Sequence, residues 1–273
     1  MNEKVADHRL SLNQITTENW NLKEAAAGCA EQGIEWIGIW RHKVHEIGLK
    51  EAKQTIKNYN LKVSSLCRGG MFPAATDLIR QERIDDNKRA IEEAAELGAE
   101  VLVLVCGSSP DKDLQTSRRW VQEGIEAIVP FAEDHGVKLG IEPLHPMYAA
   151  DRSVIVTLGE ANEMQRAIAS KQVGVIVDVF HVWWDPLLYK HIEDARGSIL
   201  GFHVSDWKVP IHDLFKARSF MGEGIIDIPR IRKAVDHQGY DGPIEVEIMN
   251  QSIWDLPGEE TLQKMKASYR SHV

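Results

Sequence analysis

What most constrains this chain is a repeated local step: a helical segment, a glycine, and then a short β-branched run. It appears at Gln32-Gly33-Ile34, Leu97-Gly98-Ala99 and His135-Gly136-Val137. Helical periods (21–32, 81–97, 117–134) alternate with strand-like runs, and glycine just past a helix is a favoured stop. Eight strands are expected, at 9–13, 34–40, 62–67, 100–106, 138–142, 174–178, 199–205 and 243–248. Strict alternation of this kind gives a parallel sheet packed under helices. Eight units in 273 residues average about 34 residues each, a size that suits a closed (β/α)8 barrel. An open doubly wound sheet would call for a phosphate-cradling G-x-G-x-x-G after an early strand, and the chain has none. The expectation is therefore an α/β protein, a single (β/α)8 TIM-barrel domain over residues 1–273, with no Pro/Gly/Ser-rich linker dividing it.

Composition excludes several classes of function. Hydrophobic residues at 43% and charged residues at 27% describe a chain able to bury a core. No stretch has the apolar length of a membrane span, and residues 1–9 lack the basic start and apolar centre of a secretory signal, so a cytoplasmic location is expected. Cys29, Cys67 and Cys106 are too dispersed for a zinc knuckle or a disulfide framework and are expected to be reduced and mostly buried. A net charge of −9 without a Lys/Arg stripe argues against nucleic acid. Small molecules are the expected ligands.

In such a barrel the active site lies at the C-terminal ends of the strands. Four consecutive expected strands end in polar side chains: the fifth in Glu142, the sixth in Asp178, the seventh in His203, and the eighth in Glu245 and Glu247. Three carboxylates and an imidazole at one mouth are costly to bury without a compensating cation. One divalent ion meets that need, and the oxygen-rich donor set favours Mn²⁺ ahead of Mg²⁺, Co²⁺, Fe²⁺ or Zn²⁺. Glu245 and Glu247 are two apart and share a face, so the residues alone leave the eighth-strand ligand open. The longest irregular stretch, 206–224, carries Trp207, Lys208, His212, Arg218, Phe220 and Met221 and is suited to closing over a ligand.

At these residues the chain resembles the xylose-isomerase-like superfamily of sugar isomerases and epimerases over nearly its whole length. The likeness rests on Gly140-Ile141-Glu142, Asp178-Val179-Phe180-His181, Gly201-Phe202-His203-Val204-Ser205-Asp206, Gly222-Glu223-Gly224-Ile225-Ile226-Asp227, and Tyr240-Asp241-Gly242-Pro243 leading to Glu247. The resemblance implies that Glu142, Asp178, His203 and Glu247 hold the metal, that Glu142 and Glu247 serve as acid and base, and that His181 and Arg218 contact substrate. It also selects Glu247 over Glu245, leaving Glu245 to support the site. The DNA-repair endonuclease branch adds zinc-binding histidines on earlier strands, but Cys67-Arg68-Gly69-Gly70 and Cys106-Gly107-Ser108-Ser109 offer none. His42 and His45, with Arg41 beside them, are expected on the substrate side.

Two stretches, 143–148 after Glu142 and 181–186, are similar to the catalytic subunits of C-glycoside deglycosylases. That likeness implies a lyase expelling the aglycone from a 3-keto-(C-)glycoside, in an oligomer that includes a second small subunit. His145, three residues past a ligand, is the expected general base, with a pKa near neutrality. Trp183, Trp184, Trp207, Phe220, Met147, Met221 and Tyr148 are expected to wall the mouth, with Trp183 and Trp207 against substrate. Three functions follow: the lyase, placed first; a ketose isomerase or epimerase; and a non-catalytic sugar-binding subunit. The first two share removal of the proton beside a carbonyl, as a metal-stabilised enolate forms.

Overall fold

The computed structural model describes residues 7–273; residues 1–6, part of the polar segment read above as lacking a secretory signal, lie outside the described residues. Among the described residues, ten strands occur in chain order: β1 Leu10–Asn13, β2 Trp36–Trp40, β3 Lys62–Gly70, β4 Val101–Val105, β5 Lys138–Glu142, β6 Val173–Asp178, β7 Ile199–Val204, β8 Asp206–Trp207, β9 Arg218–Ser219 and β10 Ile244–Val246. Eight of them close a parallel barrel in the order β1-β10-β7-β6-β5-β4-β3-β2, while β8 and β9 form a separate antiparallel ribbon. The (β/α)8 expectation holds, with strand ends shifted by up to three residues. The stretch 206–224, expected from the sequence to be irregular, is instead organised in part by this ribbon.

Local sequence explains the helices. Asn21 caps Leu22–Gln32 in a reciprocal capping box with Glu24, and Gly33 ends it at φ 66. The next two long helices, Asp77–Leu97 and Leu114–Asp134, begin four and three residues earlier than expected. Thr76 and Asp113 accept N–H bonds at their starts, ahead of the apolar periodicity, because a first turn facing solvent carries no core pattern. No helix among the described residues is long and apolar enough to cross a membrane.

Alternation along each strand divides the molecule into two interiors. Leu139 and Ile141 join the large core between sheet and helices, while Gly140, between them, faces the barrel interior, where Ile176 and Val101 from the two flanking strands close over it. The same alternation sends Glu142 inward at the end of β5, paired with Val105, and sets Asp178 of β6 beside His203 of β7. Glycines leave space on this inner face. A Cβ at Gly38 would come within 2.2 Å of the Glu245 carboxylate. All three cysteines are free and buried.

Candidate metal centre

β5, β6, β7 and the residue just past β10 deliver Glu142, Asp178, His203 and Glu247 to one point, with a ligand atom from each lying within 4.8 Å of the others. All four are at most 5% exposed. Glu247 is fixed by its backbone N–H, which bonds Val204 O at 3.1 Å, so β10 continues one residue against β7 before it departs. His203 Nδ1 faces Glu142 Oε1 at 3.3 Å and Glu247 Oε2 at 3.7 Å. Neither His203 Nδ1 nor Glu142 Oε1 has a hydrogen-bond partner among the described residues. Orphaned polar atoms that are buried and face each other are the mark of a group meant to sit between them. The donors present therefore fit a divalent ion.

Charge leads to the same view. Arg218, 3% exposed, donates from Nη1 to Asp178 Oδ2 at 2.7 Å and lies 3.2 Å from Glu247 Oε2. With His203 neutral, as a metal-binding imidazole must be, three ionised carboxylates and one guanidinium leave the cluster two charges short of neutrality. Burial pushes the Glu142 carboxyl up to about 7, with repulsion from Glu247 adding to it and His203 opposing it. Burial would raise Glu247 as well, but Arg218 and His203 outweigh it and hold this carboxyl below the usual range. His203 is held well above its ordinary value: burial opposes the charge, but Glu245, Glu142 and Glu247 prevail. Asp178 also acts locally, its Oδ1 accepting from Phe180 N–H at 2.9 Å to start the turn Val179–Val182.

Beneath this layer lies a second buried carboxylate. Glu245 accepts from Asn13 Nδ2 (2.6 Å), Ser64 Oγ (2.6 Å) and Ser65 Oγ (3.0 Å), and its Oε1 lies 3.8 Å from His203 Nε2. Trp40 Nε1 donates to Asn13 Oδ1 and extends the web to β2. Glu245 is thus turned away from the four-residue point and faces the far nitrogen of His203. Asn13 and the Ser64-Ser65 pair leave one signal in the sequence, as polar interruptions of apolar strands, but nothing local ties them to Glu245. Asp206 has a role of the same kind: its carboxylate accepts backbone N–H bonds from Trp207, Gly222, Gly224 and Ile226 at 2.8–3.0 Å. That hub folds the 206–224 segment so that β9 can present Arg218.

The other expected residues divide. His181 is buried, with Nε2 at 3.1 Å from Arg218 Nη2 and Nδ1 accepting from His145 N–H. His145 stands one step farther out, its ring against Trp207 and Trp184 at 4.9 and 5.5 Å and its Nδ1 accepting from Met147 N–H. Burial pushes its imidazole down to about 4, below the near-neutral range expected of it as a general base. Trp207 stacks on Phe180 at 4.8 Å and meets Trp183 at 5.3 Å, while Phe220 and Met221 are buried. The expected aromatic wall thus packs largely on itself and behind His181. Arg41 directs four hydrogen bonds to Asp86 and Glu93, bracing β2 against the helix Asp77–Leu97. Its fork is mostly spent there, although Arg41 still lines a cavity at the barrel mouth, the side on which substrate was expected.

Against known proteins, residues 25–272 match the family described as "Xylose isomerase-like TIM barrel". The chain belongs to that family. Among curated relatives, the inosose isomerase of Halalkalibacterium halodurans is 26% identical, with 94% of each chain covered. The L-ribulose-5-phosphate 3-epimerase UlaE of Escherichia coli O157:H7 is 24% identical over 73% of this chain and 69% of its own. A solved protein of Sinorhizobium meliloti 1021 is 43% identical, covers 97% of this chain and 98% of its own, and superposes with a TM-score of 0.95. The IOLI protein, solved with a bound zinc atom, shares the fold at 22% identity and a TM-score of 0.85, with 96% and 97% covered.

Proposed function

We propose that this chain is a divalent-metal-dependent isomerase or epimerase of a keto sugar, acting by removing the proton beside the carbonyl. The observation that carries the reading is the four-residue point where Glu142 Oε1 and His203 Nδ1 are buried without partners. An ion held there by Glu142, Asp178, His203 and Glu247 would supply Lewis-acid stabilisation of the charge that develops on the carbonyl oxygen as the proton leaves. The remaining work falls to the chain's own side chains. Glu142 and Glu247 approach from β5 and from beyond β10, so one takes the proton and the other returns it. Arg218 and His181, held against Asp178, orient the substrate's hydroxyl groups. His145 supports His181 through its backbone N–H, and with its imidazole low in basicity it is a weaker candidate for the base than either glutamate.

The relatives support this direction. The curated ones are inosose isomerases and an L-ribulose-5-phosphate 3-epimerase, the IOLI structure holds zinc, and a 3-keto-D-glucoside 4-epimerase, YcjR of E. coli, shares the fold. The lyase outcome differs only in the fate of the carbanion, through expulsion of a β-substituent, and the self-packed tryptophans reduce the room left for an aglycone wall. The test is proton exchange. The chelator-stripped protein is reloaded separately with Mn²⁺, Mg²⁺, Co²⁺ or Zn²⁺ and incubated in D2O with inososes, ketoses and 3-keto aryl glycosides. Metal-dependent deuterium uptake with formation of an isomer or epimer is the expected result. Aglycone release without an epimer would replace the proposal with the lyase. Sugar binding without exchange under any metal would leave a non-catalytic binding subunit.

A further inference from the structure

We propose that the β2–β3 side of the barrel mouth binds an oxyanion carried by the substrate, a phosphate ester or a sugar carboxylate, through Arg68 and Arg83. The inference deepens the keto-sugar reading and rests on it. In the barrel order, β2 and β3 stand opposite β6 and β7, so this wall faces the one that carries Asp178 and His203. It encloses a cavity of about 300 Å³ whose lining includes Trp40, Cys67, Arg68, Gly69, Arg83 and Asp86. Trp40 and Gly70, which both line it, are the last residues of β2 and β3, so the cavity lies at the same C-terminal end of the barrel as the four-residue point. A sugar reacting at the four-residue point would therefore direct its distal end into this space.

The charge inside the cavity is unbalanced. Asp86 is taken up by Arg41 and Arg89, and Arg41 by Asp86 and Glu93. Among the described residues, the side chains of Arg68 and Arg83 make no salt bridge and no hydrogen bond. Two unspent guanidiniums in one concavity of a chain whose net charge is −9 are a local reversal of sign. Low-dielectric walls focus such a field on the cavity, and a guanidinium fork matches the paired oxygens of phosphate and carboxylate. Arg68 is half-buried, which raises the benefit of a bound counter-charge over that of free solvent ions. Neutral sugars would leave both forks unused.

The experiment has two arms. In the first, metal-loaded protein is given a ketohexose, its terminal phosphate and the corresponding keto-uronate, and kcat/KM for proton exchange is measured for each. The expected result is at least about a tenfold advantage for one charged form over the neutral sugar, the scale of a single charge-assisted contact, with the preferred form naming the anion. In Arg68→Gln/Arg83→Gln that ratio should fall towards one, and added salt should erode it in the wild type. A ratio near one in the wild type, or an undiminished ratio in the double variant, overturns the proposal. Arg83 is exposed on a helix, so Arg83→Gln alone provides a variant that folds, and it should show part of the loss. The second arm titrates inorganic phosphate into chelator-stripped protein and needs no turnover. Should no sugar exchange a proton, the isomerase reading fails by itself, and this arm decides the anion site. Phosphate binding weakened at least about fivefold in the double variant upholds it, and equal binding removes it.

Discussion

Glu245 and Glu247 leave the same side of one chain segment two residues apart, both buried, and they live under opposite rules. The inner carboxylate is met by an amide and two hydroxyls from β1 and β3, so its charge is spread over neutral donors that never leave. The outer one belongs to a layer where Glu142 and His203 keep atoms without partners and where Arg218 offsets one charge of three. A buried ion can thus be made tolerable in two ways: a closed web that serves stability, or an open set that waits for a cation. The first layer holds the barrel together and aims His203 at its far nitrogen. The second is left unsatisfied, as functional sites often are at some cost in stability.

This contrast can be broken most sharply at the outer layer. Glu142→Gln and His203→Ala should each lose the bound metal and lower proton exchange by about three orders of magnitude or more, with the helical signal intact. Metal analysis at full occupancy in both variants would dissolve the distinction between the layers. In metal-free protein, Glu142→Gln should also be the more stable chain in urea, because it removes a repelled carboxylate.

The inner layer should respond with the opposite sign. Glu245→Ala should destabilise by about 3 kcal/mol, since it strands the Asn13, Ser64 and Ser65 donors, and should weaken metal affinity by roughly tenfold to a hundredfold as His203 loses its partner. Urea midpoints and metal competition measure the two effects separately, and an unchanged midpoint would mean that the web stabilises nothing. A smaller loss, about 1–3 kcal/mol, is expected for Gly38→Ala, whose new methyl group must displace the Glu245 carboxylate.

The smallest effect lies outside both layers. His145→Ala should reduce turnover by about tenfold, well short of the glutamate variants, since the imidazole acts at one remove from the centre. Its pKa falls from 6.5 to about 4 in the fold, so the unfolded chain takes up the proton first as the solution is acidified. The stability linked to the neutral ring is therefore complete above 6.5 and declines as pH falls through 4. The urea stability of His145→Ala should be flatter than that of the wild type across this window, and parallel profiles would show the ring to be unlinked.

The sequence by itself determined the barrel and three of the four members of the outer cluster. A period of two along eight runs fixes which side chains point inward, and a polar residue ending an apolar strand can then only sit at the mouth; Glu142, Asp178 and His203 are legible on that ground alone. The eighth strand was not, because Glu245 and Glu247 have the same parity, and only the inter-strand register lowers one into the Asn13–Ser64–Ser65 web and raises the other to the centre. Contacts between residues far apart in the chain decided the rest. Arg41 looked free until the helix Asp77–Leu97 brought Asp86 and Glu93 against it, and His145 looked like a neutral-range base until the tryptophans enclosed it. Periodicity is a property of the local backbone and can be read along the chain. Solvation and charge balance depend on what the closed barrel places beside each group, which no local pattern encodes.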